Sequence, residues 1–338
     1  MTAARVVKLL TGRGLSNATR SNVARTDLTF PDRSRIIVSM NRLSPEKRAQ
    51  VIACLVEGNS IRATVRMTGV AKNTVTKLLV DLGTACSVHL DVTMRDLRCE
   101  RVQVDELWAF VGAKQRNVSD EKAAQGWGDV WTWVALDPDT KLVPTYRVGG
   151  RDPEEAIAFM RDVAARLRNR VQLTTDGHRP YLTAVPAAFG NKVDYAQLVK
   201  IYGSVDRDRA ARYSPGICIG AERHAIIGNP DKAHVSTSHV ERQNLTMRMS
   251  MRRFTRLTNA FSKKVENLTA AVSLHFAYYN FCRVHQSLGG KTPAMAAGLA
   301  DHPWNISELI GLLESAEATP IKRGRYVKTR EQRRAVSD

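Results

Sequence analysis

The sequence predicts an all-α segment followed by an α/β domain, in which helices flank a mixed β-sheet. Two observations predict this order. Apolar residues recur at helical spacing between residues 43 and 86, and from Arg101 the apolar period becomes strand-like. Strands and helices then alternate as far as Val199, which is typical of a sheet covered by helices rather than of a helical bundle.

Composition indicates a globular protein with a polyanionic partner. The 338 residues are 43% hydrophobic and 25% charged, which is enough chain for two or three domains, and the net charge is +18. Such a surplus favours nucleic acid as the partner. A membrane surface is the rival, but no apolar run reaches the roughly 18 residues of a membrane span. The cysteines are widely spaced, which argues against a zinc ribbon or a disulfide framework and fits a reducing cytoplasm.

Residues 43–86 are predicted to form three helices in a helix-turn-helix layout. Ser44-Pro45-Glu46 is an N-cap followed by proline, and Gly69 provides the turn before the third helix. An ordinary three-helix bundle is the alternative, and the basic balance of the chain favours DNA binding. The candidate DNA-contacting residues lie at the exposed start of the third helix: Lys72, Asn73, Thr74, Thr76 and Lys77.

From Arg101 the predicted elements follow one after another to Val199. Three antiparallel strands come first, the second over 127–136 and the third over 142–148. A helix then begins at Asp152-Pro153, and strands over 171–175 and 193–199 enclose a helix over 181–189. This order is the ribonuclease-H-like layout. Residues 200–235 show little periodicity and are predicted to be an insertion or long loop before the next helix.

Three carboxylates fall on elements that this layout brings together. Asp105 lies within the first strand, Asp176 ends the fourth, and Glu241 lies on a later helix. Carboxylates that converge repel one another, and two Mg²⁺ ions, or Mn²⁺ in their place, would remove that cost. Each has a plainer interpretation: Asp105 as a strand-edge residue, Asp176 as a turn residue and Glu241 as a helix cap. Glu106 alternates to the other face of the strand and is the second choice for the first position.

The helix that carries Glu241 is strongly basic. Residues 242–264 contain seven Lys/Arg and no acidic residue, and Arg248 and Arg252 follow Glu241 at helical spacing on one face. A solvated basic face is the plainer alternative; beside a metal-binding carboxylate, phosphate binding is favoured. The candidate DNA-binding residues here are Arg242, Arg248, Arg252, Arg253 and Arg256.

Four motifs together resemble a DDE transposase of bacterial insertion sequences, and most resemble the IS-one group. They are V-D-E-L-W (104–108), T-T-D-G-H (174–178), H-V-E-R-Q-N-L (239–245) and Y-N-F-C-R-V-H-Q-S-L (279–288) with Thr292-Pro293 after it. The resemblance covers about residues 40–313. It implies that Asp105, Asp176 and Glu241 are the metal-binding triad. Glu241 follows Asp176 by 65 positions, longer than is usual in that group, which leaves Glu222 as a less favoured third carboxylate.

The function expected from this resemblance is DNA transposition, with metal-dependent cleavage at the 3′ end of an element and transfer of that strand to target DNA. The helix-turn-helix would read the terminal inverted repeats of double-stranded DNA. A homodimer or higher assembly would hold two ends, in the cytoplasm at the nucleoid. A non-catalytic DNA-binding regulator and a structure-specific nuclease of the same fold are the alternatives.

The expected domain organisation has four parts. Residues 1–39 form a basic, disordered arm or an extension upstream of a true start at Met40, and residues 40–100 the helix-turn-helix with its connector. Residues 101–290 form the catalytic core with the insertion at about 200–235. Residues 291–338 form C-terminal helices and a basic tail.

Overall fold

The computed structural model describes residues 43–203, 218–255 and 258–316. Residues 44–313 form one compact unit. The predicted arm over 1–39, the start at Met40, the basic tail and Arg256 all lie outside the described residues. The domain boundaries stay a prediction.

The first part of the unit consists of three helices: α1 (Pro45–Val56), α2 (Ile61–Thr68) and α3 (Lys72–Thr93). Ser44 and Ser60 cap the first two through hydrogen bonds that their hydroxyls accept from backbone N–H groups. Gly69 ends α2 in the left-handed region, with φ of 71°, which glycine adopts without steric cost. The predicted trio of helices and its turn are therefore present.

Helix α3 is longer than the sequence predicts. We expected a connector over residues 87–101, but the helix continues to Thr93. Cys86 and Leu90 continue the buried face of Leu82 at intervals of four residues. Burial of that face extends the helix into the part of the chain that contains the sheet.

A six-stranded mixed sheet forms the centre of the described residues. Its strands follow the order β3-β2-β1-β4-β5-β6 across the sheet. The pairs β1–β4 and β4–β5 are parallel, and the other neighbours are antiparallel. The order and directions agree with the ribonuclease-H-like layout. The strands are β1 (Arg101–Val111), β2 (Gly128–Leu136), β3 (Thr145–Gly149), β4 (Val171–Asp176), β5 (Val193–Tyr202) and β6 (Cys218–Ile227).

Helices cover both faces of this sheet. The helices after α3 are α4 (Asp120–Ala124), α5 (Pro153–Arg166), α6 (Tyr181–Phe189), α7 (Ser238–Ser250), α8 (Val265–Phe281), α9 (Pro293–Ala296) and α10 (Ile306–Ala316). Trp133 of β2 contacts the rings of Phe159 on α5 and Tyr181 on α6. On the opposite face, α7 packs against β1 and α8 against β3, where Tyr146 donates to Ser273.

Two predicted segments differ from the structure. The insertion predicted over 200–235 contains the end of β5 and the whole of β6, which extends the sheet. The basic helix ends at Ser250, and residues 252–254 form a separate short 3-10 helix, so the prediction that Arg252 shares the helical face of Glu241 is wrong. Met251 and Phe254 are buried there, and their burial outweighs continuation of the helix.

The contact between α3 and α8 depends on Gly83. A Cβ at Gly83 would lie 2.2 Å from the backbone oxygen of Ala270 on α8. The two backbones are therefore packed too closely for any side chain at this position.

We expect Gly83→Ala to lower the free energy of unfolding by about 1–3 kcal/mol, because the added methyl group overpacks the contact and outweighs its gain in helix propensity. Urea denaturation measures this change. Gly311→Ala on α10 is the matched control, since a Cβ there meets nothing within 4 Å, and it should be neutral or slightly stabilising. Equal effects of the two substitutions would contradict the packing argument.

Candidate metal centre

The register of the sheet places Asp105 beside Asp176. In the parallel pair of β1 and β4, Val104 lies opposite Thr175, and β4 ends at the next residue, Asp176. Neighbouring positions on parallel strands point to the same face of the sheet. Asp105 and Asp176 are therefore adjacent at the carboxyl end of the parallel strands, as the sequence predicts.

Glu106 completes a group of three carboxylates. One oxygen from each of Asp105, Glu106 and Asp176 lies within 4.8 Å of the others. Alternation along β1 predicts that Glu106 points to the opposite face, away from Asp105. Its carboxylate still reaches the group because β1 continues past the end of β4 and pairs only with β2 there.

Polar contacts hold the carboxylate of Glu106. The hydroxyl of Tyr181 donates to Oε1, and Nη2 of Arg151 donates to Oε2 at 3.2 Å. The guanidinium of Arg151 also lies over the ring of Trp131, 4.4 Å from the ring centre to Cζ. The side chain of Glu106 is only 1% exposed. These contacts offset part of the cost of burying the charge of Glu106.

Burial and repulsion from Asp176 make Asp105 and Glu106 costly to ionise. Burial, followed by the charge of Asp176, raises the pKa of Asp105 to about 6, against the hydrogen bond that Asn244 donates to Oδ2 at 2.8 Å. Burial and the charge of Asp176 also raise the pKa of Glu106 to about 7. A cation between these groups would remove the cost of ionisation.

The donor set suits a hard divalent cation. Carboxylate oxygens are the ligands that Mg²⁺ and Mn²⁺ prefer. In addition, Oδ1 of Asn244 is buried and has no hydrogen-bond partner among the described residues. Asp105, Glu106 and Asp176 are therefore placed to hold a metal ion.

Glu241 lies close to this cluster but outside it. It is in the first turn of α7, and its charge contributes to the raised pKa of Asp105. Both of its carboxylate oxygens accept hydrogen bonds from Nζ of Lys200 at 2.6 Å, and Oε1 also accepts from Thr237. The structure thus brings Asp105 and Asp176 together. The third predicted residue, Glu241, lies nearby and is paired with Lys200.

The start of α7 is fixed to the central strand by a side chain. Oε1 of Gln103 on β1 accepts hydrogen bonds from the backbone N–H groups of His239 at 3.0 Å and Val240 at 3.2 Å. These are among the N–H groups that a helix leaves without partners inside itself. Gln103, only 4% exposed, therefore sets the position of Glu241 relative to Asp105.

Sequence reasoning missed several contributors to the site. Asn244 follows Glu241 by three residues, so helical spacing alone could have placed it on the same face. Tyr181 and Arg151 carry no local signal, because their contact with Glu106 depends on how α6 and the loop before α5 pack. Lys200 lies one residue beyond the predicted end of its strand.

The predicted DNA-binding residues lie in two places. Thr76 is half-buried, and the others at the start of α3 are exposed: Lys72, Asn73, Thr74 and Lys77. Arg242 and Arg252 are also exposed.

Two further arginines from that prediction point inward. Arg248 reaches the backbone oxygen of Phe254, and Arg253 donates to the hydroxyl of Ser262. Burial lowers the pKa of Arg253 to about 10.

Among the solved structures to which the chain is similar is a nucleic-acid complex. That structure is a piggyBac transposase synaptic complex with hairpin DNA, determined by cryo-EM. The match has 12% sequence identity, covers 91% of this chain and 79% of that chain, and has a TM-score of 0.34. No protein-family model and no curated protein matches the sequence. A likeness at this TM-score does not establish a common fold.

Within the parts of the chain that the structure describes, no helix is both long enough and apolar enough to cross a membrane.

We expect ionisation of Asp105 to cost the metal-free protein stability as the pH rises from about 4 to about 7. The pKa of the Asp105 carboxyl is about 6 in the folded state, above its unfolded value, so its stabilising contribution is present at low pH and lost through this window. The loss due to Asp105 should be about 2 kcal/mol, and excess Mg²⁺ should reverse it.

Urea denaturation over this pH range measures the effect. Relative to Asp105→Asn, wild type should lose stability across this range, whereas Glu121→Gln, at an exposed position on α4, should follow the wild-type curve. A difference between wild type and Asp105→Asn that stays constant with pH would contradict the electrostatic account of the cluster.

Proposed function

We propose that this protein is a DNA transposase that cleaves the 3′ end of an insertion sequence and joins that end to target DNA. The observation that carries the proposal is the convergence of Asp105 and Asp176 at the carboxyl end of the parallel strands, with Glu241 on α7 close enough for its charge to act on Asp105. The net charge of +18 supports a polyanionic substrate. The motifs that resemble bacterial DDE transposases contain these same three residues.

Each carboxylate has a defined part in the proposed chemistry. Asp105, Asp176 and Glu241 would hold Mg²⁺ or Mn²⁺, which when bound activates the attacking hydroxyl and stabilises charge at phosphorus. Asn244 fixes one oxygen of Asp105 by its hydrogen bond, so that the other is available to a ligand. Glu106, held by Tyr181 and Arg151, lies within reach of the same ion.

The proposed DNA contacts lie apart from the metal centre. Helices α1–α3 would act as the helix-turn-helix that recognises the terminal inverted repeats, with the exposed start of α3 in the major groove. Arg242 and Arg252 are exposed and suited to phosphates, and Arg248 can contribute if its side chain turns outward. Arg253 is the least suited, because its side chain is inside the protein. Two element ends would require a homodimer or a larger assembly.

The experiment compares cleavage and strand transfer on labelled DNA from the ends of the element that encodes this chain. Wild type with Mg²⁺ should give joined product. Asp105→Asn and Glu241→Gln should lower the rate by about a hundredfold or more, because each removes a ligand of the charge-stabilising ion. Glu222→Gln is the matched control: it changes the alternative third carboxylate, on β6, and should leave the rate unchanged.

The outcomes separate the alternatives. Cleavage without joining would indicate a structure-specific nuclease of the same fold. Specific binding with neither cleavage nor joining, identical in wild type and Glu241→Gln, would indicate a DNA-binding regulator. Loss of joining in Glu222→Gln but not in Glu241→Gln would transfer the third position to Glu222.

A second prediction tests recognition by α3. We expect Lys72→Ala with Asn73→Ala to weaken binding to element-end DNA by about 1–3 kcal/mol and to reduce the preference for it over unrelated DNA. Lys47→Ala on α1 removes an exposed lysine outside the proposed recognition helix and serves as the control. Fluorescence anisotropy at two salt concentrations measures both effects. Equal losses on specific and unrelated DNA would reduce α3 to a non-specific contact.

A further inference from the structure

The pairing of Lys200 with Glu241 differs from an ordinary surface ion pair. Nζ of Lys200 lies 2.6 Å from each of the two oxygens of Glu241, so the ammonium is centred on the carboxylate. The hydroxyl of Thr237 also donates to Oε1 of Glu241. Both side chains are only about one-third exposed, with 32% for Lys200 and 39% for Glu241. The arrangement resembles the way in which a carboxylate holds a single cation.

The register of the sheet brings Lys200 to the metal centre. On β5, Leu198 lies opposite Asp176, and Lys200 is two residues further along on the same face. Asp176 and Lys200 therefore lie on the same face of two adjacent parallel strands, near their carboxyl ends. Burial lowers the pKa of Lys200, but the hydrogen bond to Glu241 and the charges of Glu241, Tyr202 and Asp105 together raise it above its ordinary value.

The charges around the centre balance for one divalent ion. Four carboxylates contribute to it: Asp105, Glu106, Asp176 and Glu241. Two cationic side chains are paired with members of this set, Arg151 with Glu106 and Lys200 with Glu241. When all are ionised the net charge is −2, which one divalent ion neutralises. A second divalent ion would leave an excess of positive charge unless phosphate groups came with it.

We propose that the ammonium of Lys200 occupies the second cation position of this centre. The DNA-free protein then binds one divalent ion between Asp105 and Asp176. A second ion enters only when Lys200 leaves Glu241. This inference rests on the proposed function, since it assigns the way in which the same centre takes up its metal.

The test is isothermal titration calorimetry, in which Mn²⁺ is titrated into the DNA-free, full-length protein. Wild type should bind one ion, with any second ion much weaker. Lys200→Gln should bind the second ion at least about tenfold more tightly, because Glu241 then lacks a cation and repulsion from the ammonium is gone. Lys200→Arg, which keeps the charge, should behave as wild type.

The matched control is Lys192→Gln. Lys192 is an exposed lysine just before the start of β5, about 26 Å from Lys200 along the strand, so its change removes the same charge without touching the centre. It should bind one ion as wild type does. Circular dichroism of each variant confirms that the fold is kept.

A double variant tests the first ion separately from the second. Glu241→Gln combined with Lys200→Gln removes both members of the ion pair and keeps the net charge of the centre, so it should leave the affinity for the first ion unchanged. A tenfold or greater loss of first-ion affinity in this double variant would overturn the inference.

The remaining outcomes distinguish this inference from the proposed function. Binding of two Mn²⁺ ions with equal affinity by wild type would overturn the role of Lys200 alone. So would an affinity of Lys200→Gln for the second ion that is no higher than that of wild type. Absence of any Mn²⁺ binding by wild type, with Asp105→Asn behaving identically, would overturn the proposed metal-dependent function and the Lys200 inference together.

Discussion

The concentration of negative charge at one edge of the sheet is the constraint on which the site depends. The register of β1 and β4 brings one carboxylate oxygen from each of Asp105, Glu106 and Asp176 within 4.8 Å of the others, and the side chain of Glu106 is buried. Such a group is stable when ionised only if cations accompany it. The chain supplies two of its own, Arg151 and Lys200, and the composition of the remaining site favours a divalent ion.

The position of α7 follows from the same requirement. Its N-terminal N–H groups are satisfied by Gln103, which lies on the same strand as Asp105, two residues before it. One strand thus carries both a ligand candidate and the residue that positions the helix facing it. Asn244, a turn further along α7, completes the connection through its hydrogen bond to Asp105. The helix and the central strand therefore hold Glu241 and Asp105 in a fixed relation.

Much of the fold and part of the site could be predicted from the sequence. The bounds of α6 are as predicted, because local spacing decides them, and the pairing of Asp105 with Asp176 follows from strand order alone. Alternation along β1 makes Glu106 only the second choice, and its approach to Asp176 depends on packing at the end of β4 that the sequence does not indicate. Lys200 and Arg151 act through contacts that only the folded chain creates. The end of α7 depends on burial of Phe254, which no local pattern indicates.

The continuity of α3 has a mechanical consequence. This helix of 22 residues, about 33 Å long, begins at the exposed residues after Gly69 and ends beside the sheet, and Gly83 locks its middle against α8. No flexible joint interrupts it. If its first turn binds DNA, this rigid helix fixes the distance between the bound segment and the carboxylates at the edge of the sheet. Insertion of part of a turn into α3 would then rotate the bound segment about the axis of α3 as well as displace it.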